Sequence, residues 1–177
     1  YARWKSDFDL VAETGVQALR WGIPWYKVEP KPGQYDWSWT DDALDYLVNV
    51  KRITPILDLM HYGTPLWMNN SFINCCYPER VAEYAAAVAD RYKSLVTYFT
   101  PLNEPMVNAE YCGLKGEWPP YLEGWDGYVK MLTALARGIV ASIRAMRAVH
   151  PDVRTVQVEA MWQTDAGSPA LAERAAL

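Results

Sequence analysis

The sequence predicts an α/β fold built on a parallel sheet, and three observations carry that prediction. Helix-like and strand-like stretches alternate along the chain. The run Ile53 to Met60 is nearly apolar throughout, as a strand is when both of its faces are covered. Breakers stand between the stretches, at Gly15, Pro30, Pro32, Gly33, Pro78 and Pro151, where they close one element and open the next.

The elements follow in order. Ser6 with Asp7 and Asp9 reads as an N-cap with acids in the first turn, and Gly15 as a stop, so a helix is expected over 7–14. Val16 to Ile23 reads as a strand, and Pro30, Pro32 and Gly33 mark a loop. Thr40, Asp41 and Asp42 cap a second helix whose Ala43, Leu44, Leu47 and Val48 share one face. After the strand Ile53 to Met60, Pro78 opens an Ala-rich helix over 79–93, and a strand over 96–102 follows at once. A glycine- and proline-rich loop is expected over 107–125, then a long helix over 127–149 ended by Pro151, a strand over 154–159, and a last helix opened by Ser168-Pro169.

The order α-β-α-β-α-β-α-β-α with right-handed crossovers gives helices packed on a parallel sheet. A doubly wound nucleotide-binding fold should carry a glycine-rich turn after an early strand, and Trp21-Gly22-Ile23-Pro24-Trp25 has one glycine and two tryptophans. A (β/α)8 TIM barrel places functional residues at the C-terminal ends of successive strands. Trp25, His61, Asn103 with Glu104, and Glu159 fit that placement. Four strands make half of such a barrel, which needs about 250 residues, so residues 1–177 are expected to form one partial barrel domain whose remaining strands lie outside this chain.

Composition narrows the function. The 177 residues are 51% hydrophobic and 21% charged, an ordinary globular balance, with a net charge of −4. Lys and Arg are scattered, which argues against a nucleic-acid partner. No apolar run approaches the roughly 18 residues of a membrane span. The cysteines, Cys75, Cys76 and Cys112, fit neither a paired disulfide framework nor a metal-ligand spacing and read as free thiols of a reducing compartment. Tyr1-Ala2-Arg3-Trp4 is no signal peptide. A cytoplasmic location is therefore expected, with Tyr1 an internal or processed start. Nine Trp and twelve Tyr against three Phe give an excess of rings with a polar handle; such rings stack on sugar faces as readily as they fill a core.

The most informative motif is Leu102-Asn103-Glu104-Pro105, after the strand-like Val96 to Pro101. Prolines at 101 and 105 cannot donate to a sheet ladder, so the backbone leaves the sheet here and presents Asn103 and Glu104 at its rim. An acid beside a hydrogen-bonding amide suits glycosidic bond cleavage, in which an acid protonates the leaving oxygen while a neighbour holds a sugar hydroxyl. Arg20 stands mid-strand between Leu19 and Trp21, where an unpaired charge would cost several kcal/mol, so a carboxylate partner is expected for it.

Three stretches together resemble glycoside hydrolase family 1, the β-glucosidase-like retaining glycosidases built on a TIM barrel. They are Ala18 to Trp25 with Val28-Glu29-Pro30, Ile53 to His61, and Tyr98 to Pro105. Their order matches the family's second, third and fourth strands, and the likeness runs through essentially the whole chain. The resemblance implies a carbohydrate substrate, a β-glycoside, and no cofactor or metal. It makes Glu104 the general acid/base, Asn103 the ligand of the sugar 2-hydroxyl, His61 the ligand of another sugar hydroxyl, and Arg20 the support of the nucleophile. An acid of this kind must hold its proton at neutral pH, which burial or a nearby carboxylate provides. Glu159 is a candidate site carboxylate at the fourth strand's end. Trp118 and Trp125 either line the entrance or anchor their loop.

The chain departs from the family pattern as well. His61-Tyr62-Gly63-Thr64-Pro65 stands where the family commonly has His-Trp-Asp-x-Pro, and Leu102 where Thr or Phe is usual. A retaining mechanism needs two carboxylates about 5–5.5 Å apart, and the nucleophile motif is not in this chain. The 177 residues alone are therefore expected to be inactive, holding the acid/base half of a mechanism. The alternative is a carbohydrate-binding barrel of the same descent that has lost the chemistry.

Overall fold

The computed structural model describes residues 2–69, 71–160 and 167. Four parallel strands, β1 (Ala18–Gly22), β2 (Thr54–Asp58), β3 (Tyr98–Thr100) and β4 (Arg154–Thr155), form one sheet in the order β1-β2-β3-β4. Each strand is followed by helix before the next begins, which is how parallel neighbours must be joined. The expected helix opened by Ser168-Pro169 lies outside the described residues.

The helices are α1 (Trp4–Glu13), α2 (Trp25–Val28), α3 (Ser38–Asp45), α4 (Tyr77–Tyr92), α5 (Pro105–Ala109) and α6 (Gly124–Val149). Two of the expected caps lie inside their helices. The Ser6 hydroxyl donates back to the Arg3 carbonyl at 2.8 Å, and the Thr40 hydroxyl to that of Trp37 at 3.1 Å. It is Asp36 that receives the Ser38 amide, at 3.0 Å, and so opens α3. The loop expected over 107–125 is partly helical: α5 runs into a π-helical turn, Glu110–Leu114. Gly113 does not break it, because it sits against α6 where a side chain has no room. The strand expected over 154–159 is paired as a strand only at Arg154–Thr155, with one further bridge between Asn103 and Val158.

Register sorts the side chains. Arg20 pairs with Ile56, Gly22 with Asp58, and Asp58 with Thr100, so these residues share one face of the sheet. On the other face Leu57 and Phe99 are fully buried, in a core with Leu44, Tyr84, Val88 and Leu135 from the helices. The helix-covered face thus carries the packing energy, at roughly 1.5–3 kcal/mol per large buried apolar side chain. The opposite face carries Arg20, Asp58 and Thr100 alongside Ile56.

α3 and α4 are clamped at their ends. Arg91 grips Asp41 with both arms of its guanidinium, Nε donating to Oδ1 at 2.8 Å and Nη2 to Oδ2, and the Tyr92 hydroxyl lies 2.8 Å from the same Oδ1. The Arg91 guanidinium holds the Asp41 carboxyl below the usual carboxylate range, against an opposing push from burial. A carboxyl depressed in the folded state stabilises above its unfolded value and loses that contribution as pH falls through the folded one. Both partners are about two-fifths exposed, with side chains at 41% and 39%, so solvent screens the pair. Asp41→Asn is expected to cost roughly 0.5–1 kcal/mol at neutral pH. Parallel thermal melts should show that difference closing once the pH is below the usual carboxylate range.

Candidate active site

The C-terminal ends of β1, β2 and β3 converge on a polar cluster. Asp58, the last residue of β2, is 2% exposed and accepts from two directions at one oxygen. Arg20 Nη1 donates to its Oδ2 at 3.1 Å, and His61 Nδ1 lies 2.7 Å from the same atom. Arg20 Nη2 donates to Asn103 Oδ1 at 2.8 Å. The carboxylate partner expected for Arg20 is thus Asp58, three residues before His61. Arg20, Asp58, His61 and Asn103 form one connected network across three strands. A lone carboxylate in the apolar run Ile53 to Met60 was the signal that could have singled Asp58 out.

Asn103 and Glu104 lie just past the end of β3, where pairing continues as the single bridge between Asn103 and Val158. The Asn103 amide donates to the Met60 carbonyl at 2.9 Å and the Glu104 amide to the Val158 carbonyl at 3.1 Å, so each is held to a neighbouring chain segment. Glu104 adopts a left-handed conformation, φ 46° and ψ 69°. A residue with a side chain there is strained by about 1 kcal/mol or more, and such strain persists only where surroundings over-determine it. They do: Asn108 Nδ2 donates to the carbonyls of Asn103 at 2.8 Å and Glu104 at 2.9 Å. Pro105 then starts α5 at the position where a missing N–H costs nothing.

Glu104 is half-buried, and its Oε2 accepts the Tyr62 hydroxyl. Tyr62 is also left-handed, at φ 57°, so two strained residues meet through their side chains. The Tyr62 ring packs edge-on to His61, with centroids 4.6 Å apart, and against Trp118 at 5.3 Å; Trp118 in turn stacks on Tyr111 at 4.6 Å. Nothing in the local sequence around Tyr62 announced its contact with Glu104. Trp118 therefore joins the aromatic wall beside Glu104, whereas Trp125 is 71% exposed and packs edge-on to Tyr128 in α6.

Glu159 is placed differently from the other candidates. Its carboxylate accepts the backbone N–H of Met106 at 3.1 Å and of Ala160 at 3.1 Å. It thereby caps the turn that carries Glu104, which makes it a neighbour of the acid segment occupied by backbone.

A cleft of about 460 Å³ opens beside these residues, lined by His61, Tyr62, Gly63 and Thr64 on one side and by Ile23, Pro24, Trp25 and Tyr26 on the other. A smaller hollow of about 310 Å³ lies between Tyr62, Phe72, Cys112 and Trp118. Tyr62 and Gly63 border both. No group of three or more His, Cys, Asp or Glu able to hold a metal occurs among the described residues, and no helix among them is long and apolar enough to cross a membrane.

Comparison with known proteins agrees with this layout. The model of glycosyl hydrolase family 1 matches residues 1–176. A 1,4-beta-D-glucan glucohydrolase of Thermotoga neapolitana is 28% identical over 160 residues, covering 86% of this chain and 37% of that protein. A 6-phospho-beta-glucosidase of Clostridium longisporum is 32% identical over 165 residues, covering 85% of this chain and 33% of that protein. The fold matches a family 1 β-glucosidase from Thermotoga maritima solved with isofagomine lactam, at TM-score 0.88 and 23% identity, over 97% of this chain and 40% of that one. The chain therefore spans 33–40% of the length of these relatives, and its open sheet is an arc of their TIM barrel.

Proposed function

Because the chain belongs to glycosyl hydrolase family 1, we propose that it is part of a retaining β-glycosidase and carries the acid/base half of the active site. The observation that carries this reading is Glu104. It is a carboxyl group fixed at a strand end by strained, multiply bonded backbone, beside an amide oriented by Arg20 and a histidine oriented by Asp58. In the proposed reaction Glu104 protonates the glycosidic oxygen as the bond breaks, then accepts a proton from water in the second step. Asn103 and His61 hold sugar hydroxyls, and the contact to the 2-hydroxyl strengthens as positive charge builds at the anomeric carbon.

The substrate class proposed is a β-glucoside or a near relative of one. Similar proteins include a 1,4-beta-D-glucan glucohydrolase and a 6-phospho-beta-glucosidase, and β-glucosidases of the same fold are solved in complex with isofagomine lactam and with glucoimidazole. The nucleophile would come from the part of the barrel outside this chain, so residues 1–177 by themselves are proposed to lack turnover. Proton NMR of the first product formed by the full-length protein tests the mechanism. Retention requires the β-anomer to appear first and then mutarotate; a first-formed α-anomer would rule the reading out.

The aromatic surround of Glu104 supports a second reading, a barrel that binds carbohydrate without cleaving it. Calorimetric binding of glucosides by a full-length protein that shows no turnover would favour it.

A further inference from the structure

We infer that Asp58 is the positioning residue of this site. It sets the hydrogen-bonding polarity of His61 and Asn103, so that the pair accepts a sugar diol in one sense only: a hydroxyl that donates to His61 Nε2, next to one that accepts from the Asn103 amide. The inference deepens the glycosidase reading and rests on it for the identity of the ligand.

Asp58 is a costly residue to place where it is. Burying a carboxylate costs several kcal/mol unless it is paired, and Asp58 is 2% exposed at the end of an apolar strand. A carboxylate present only to neutralise Arg20 would use both oxygens against the guanidinium fork. Here one oxygen, Oδ2, takes both Arg20 and His61, while Oδ1 is buried with no partner among the described residues. The carboxylate is thus aimed at the point where the arginine and the imidazole meet.

The consequence follows from what each group can do. A carboxylate only accepts, so the proton of a neutral His61 ring sits on Nδ1, 2.7 Å from Oδ2. That leaves Nε2 with its lone pair, on a ring whose side chain is 48% exposed and which lines the 460 Å³ cleft. A guanidinium only donates, so Arg20 Nη2 fixes Asn103 with Oδ1 toward the arginine and leaves the NH2 end as the donor. Arg20 in turn is held by Asp58. One buried carboxylate therefore decides that His61 is an acceptor and supports the arrangement that makes Asn103 a donor. His150, the other histidine of the chain, shows the opposite choice: its Nε2 lies 3.0 Å from the Val96 carbonyl, an acceptor, so Nε2 carries the proton there.

Nitrogen-15 NMR of the full-length protein with labelled histidine, recorded at alkaline pH, reads the tautomer directly, with the His61 signals identified by their loss in His61→Ala. The expected result is an Nδ1–H ring at His61, in excess by about tenfold over the other tautomer. In Asp58→Ala no oxygen that could accept from Arg20 or from His61 Nδ1 remains at this position, so the roughly tenfold excess of Nδ1–H should be lost. On a β-glucoside this variant should raise KM roughly tenfold, with a smaller change in kcat. A merely structural Asp58 would alter stability and leave the tautomer alone. A wild-type ring that is chiefly Nε2–H, or an Asp58→Ala ring that keeps the wild-type excess of Nδ1–H, overturns the inference. Should Asp58→Ala fail to fold, the wild-type spectrum still decides. The tautomer is read without turnover, so failure of the glycosidase reading shows separately, in the anomer formed and in the Glu104 variant.

Discussion

Glu104→Gln in the full-length protein should lower kcat on alkyl β-glucosides by about 10²–10⁴-fold, the usual worth of a positioned general acid. Aryl glycosides with strongly acidic leaving groups should lose far less in the bond-breaking step, because their leaving oxygen departs without a proton. The glutamine keeps the shape of the side chain and removes its ability to exchange a proton, so the left-handed backbone at residue 104 and its bonds to Val158 and Asn108 are undisturbed. The measurement is a comparison of kcat and kcat/KM over leaving groups of graded acidity. Equal losses across the series would remove Glu104 from the acid role, and an unchanged rate on every substrate would remove it from the site.

Gly127→Ala is expected to destabilise the fold by about 3 kcal/mol or more, at the upper end of what overpacking costs. Helix propensity alone argues the other way, since alanine in a helix interior is favoured over glycine by about 1 kcal/mol. The packing decides the sign. A Cβ on Gly127 would lie 2.2 Å from the Gly113 carbonyl oxygen and 2.9 Å from Leu122 Cβ, and the closest of these is backbone that cannot rotate away. Gly113 and Gly127 meet where α6 crosses the π-helical turn Glu110–Leu114, and that turn carries Tyr111, against which Trp118 stacks. Denaturant titration of wild type and variant gives the loss of stability. A loss below about 1 kcal/mol would mean that the helix slides enough to admit a methyl group.

Several elements were legible before the fold was known, and each for a local reason. Pro78 sits in the first turn of α4, and Pro151 follows α6 within two residues of its end. The apolar run around Leu57 is a strand, and β3 ends at Thr100, just before Pro101, with the Asn103–Val158 bridge beyond it. The caps were less legible. Ser6 and Thr40 are good N-cap residues by type, yet each lies within its helix and bonds back to a carbonyl, because a hydroxyl satisfies either position. The stretch after Pro105 looked like loop because its glycines were read as breakers. Gly113 serves instead as the close-contact residue of a helix crossing with Gly127, while Gly116 and Gly124 take the left-handed backbone of turns.

The sequence by itself determined the order of the four strands and of α1, α3, α4 and α6 between them, the family, and the place of Asn103 and Glu104 beyond a strand end, since periodicity, breakers and motifs are properties of neighbouring residues. Only the tertiary structure decided who meets whom. Arg20 is 38 residues from Asp58 and 83 from Asn103, and Tyr62 is 42 from Glu104. Those contacts depend on the register of one strand against the next, where a slip of one residue turns every side chain to the other face. Asp58 stands out in the sequence as the lone carboxylate of an apolar run, but its partners, and Tyr62 as a member of the site, appear only once β1, β2 and β3 are laid side by side.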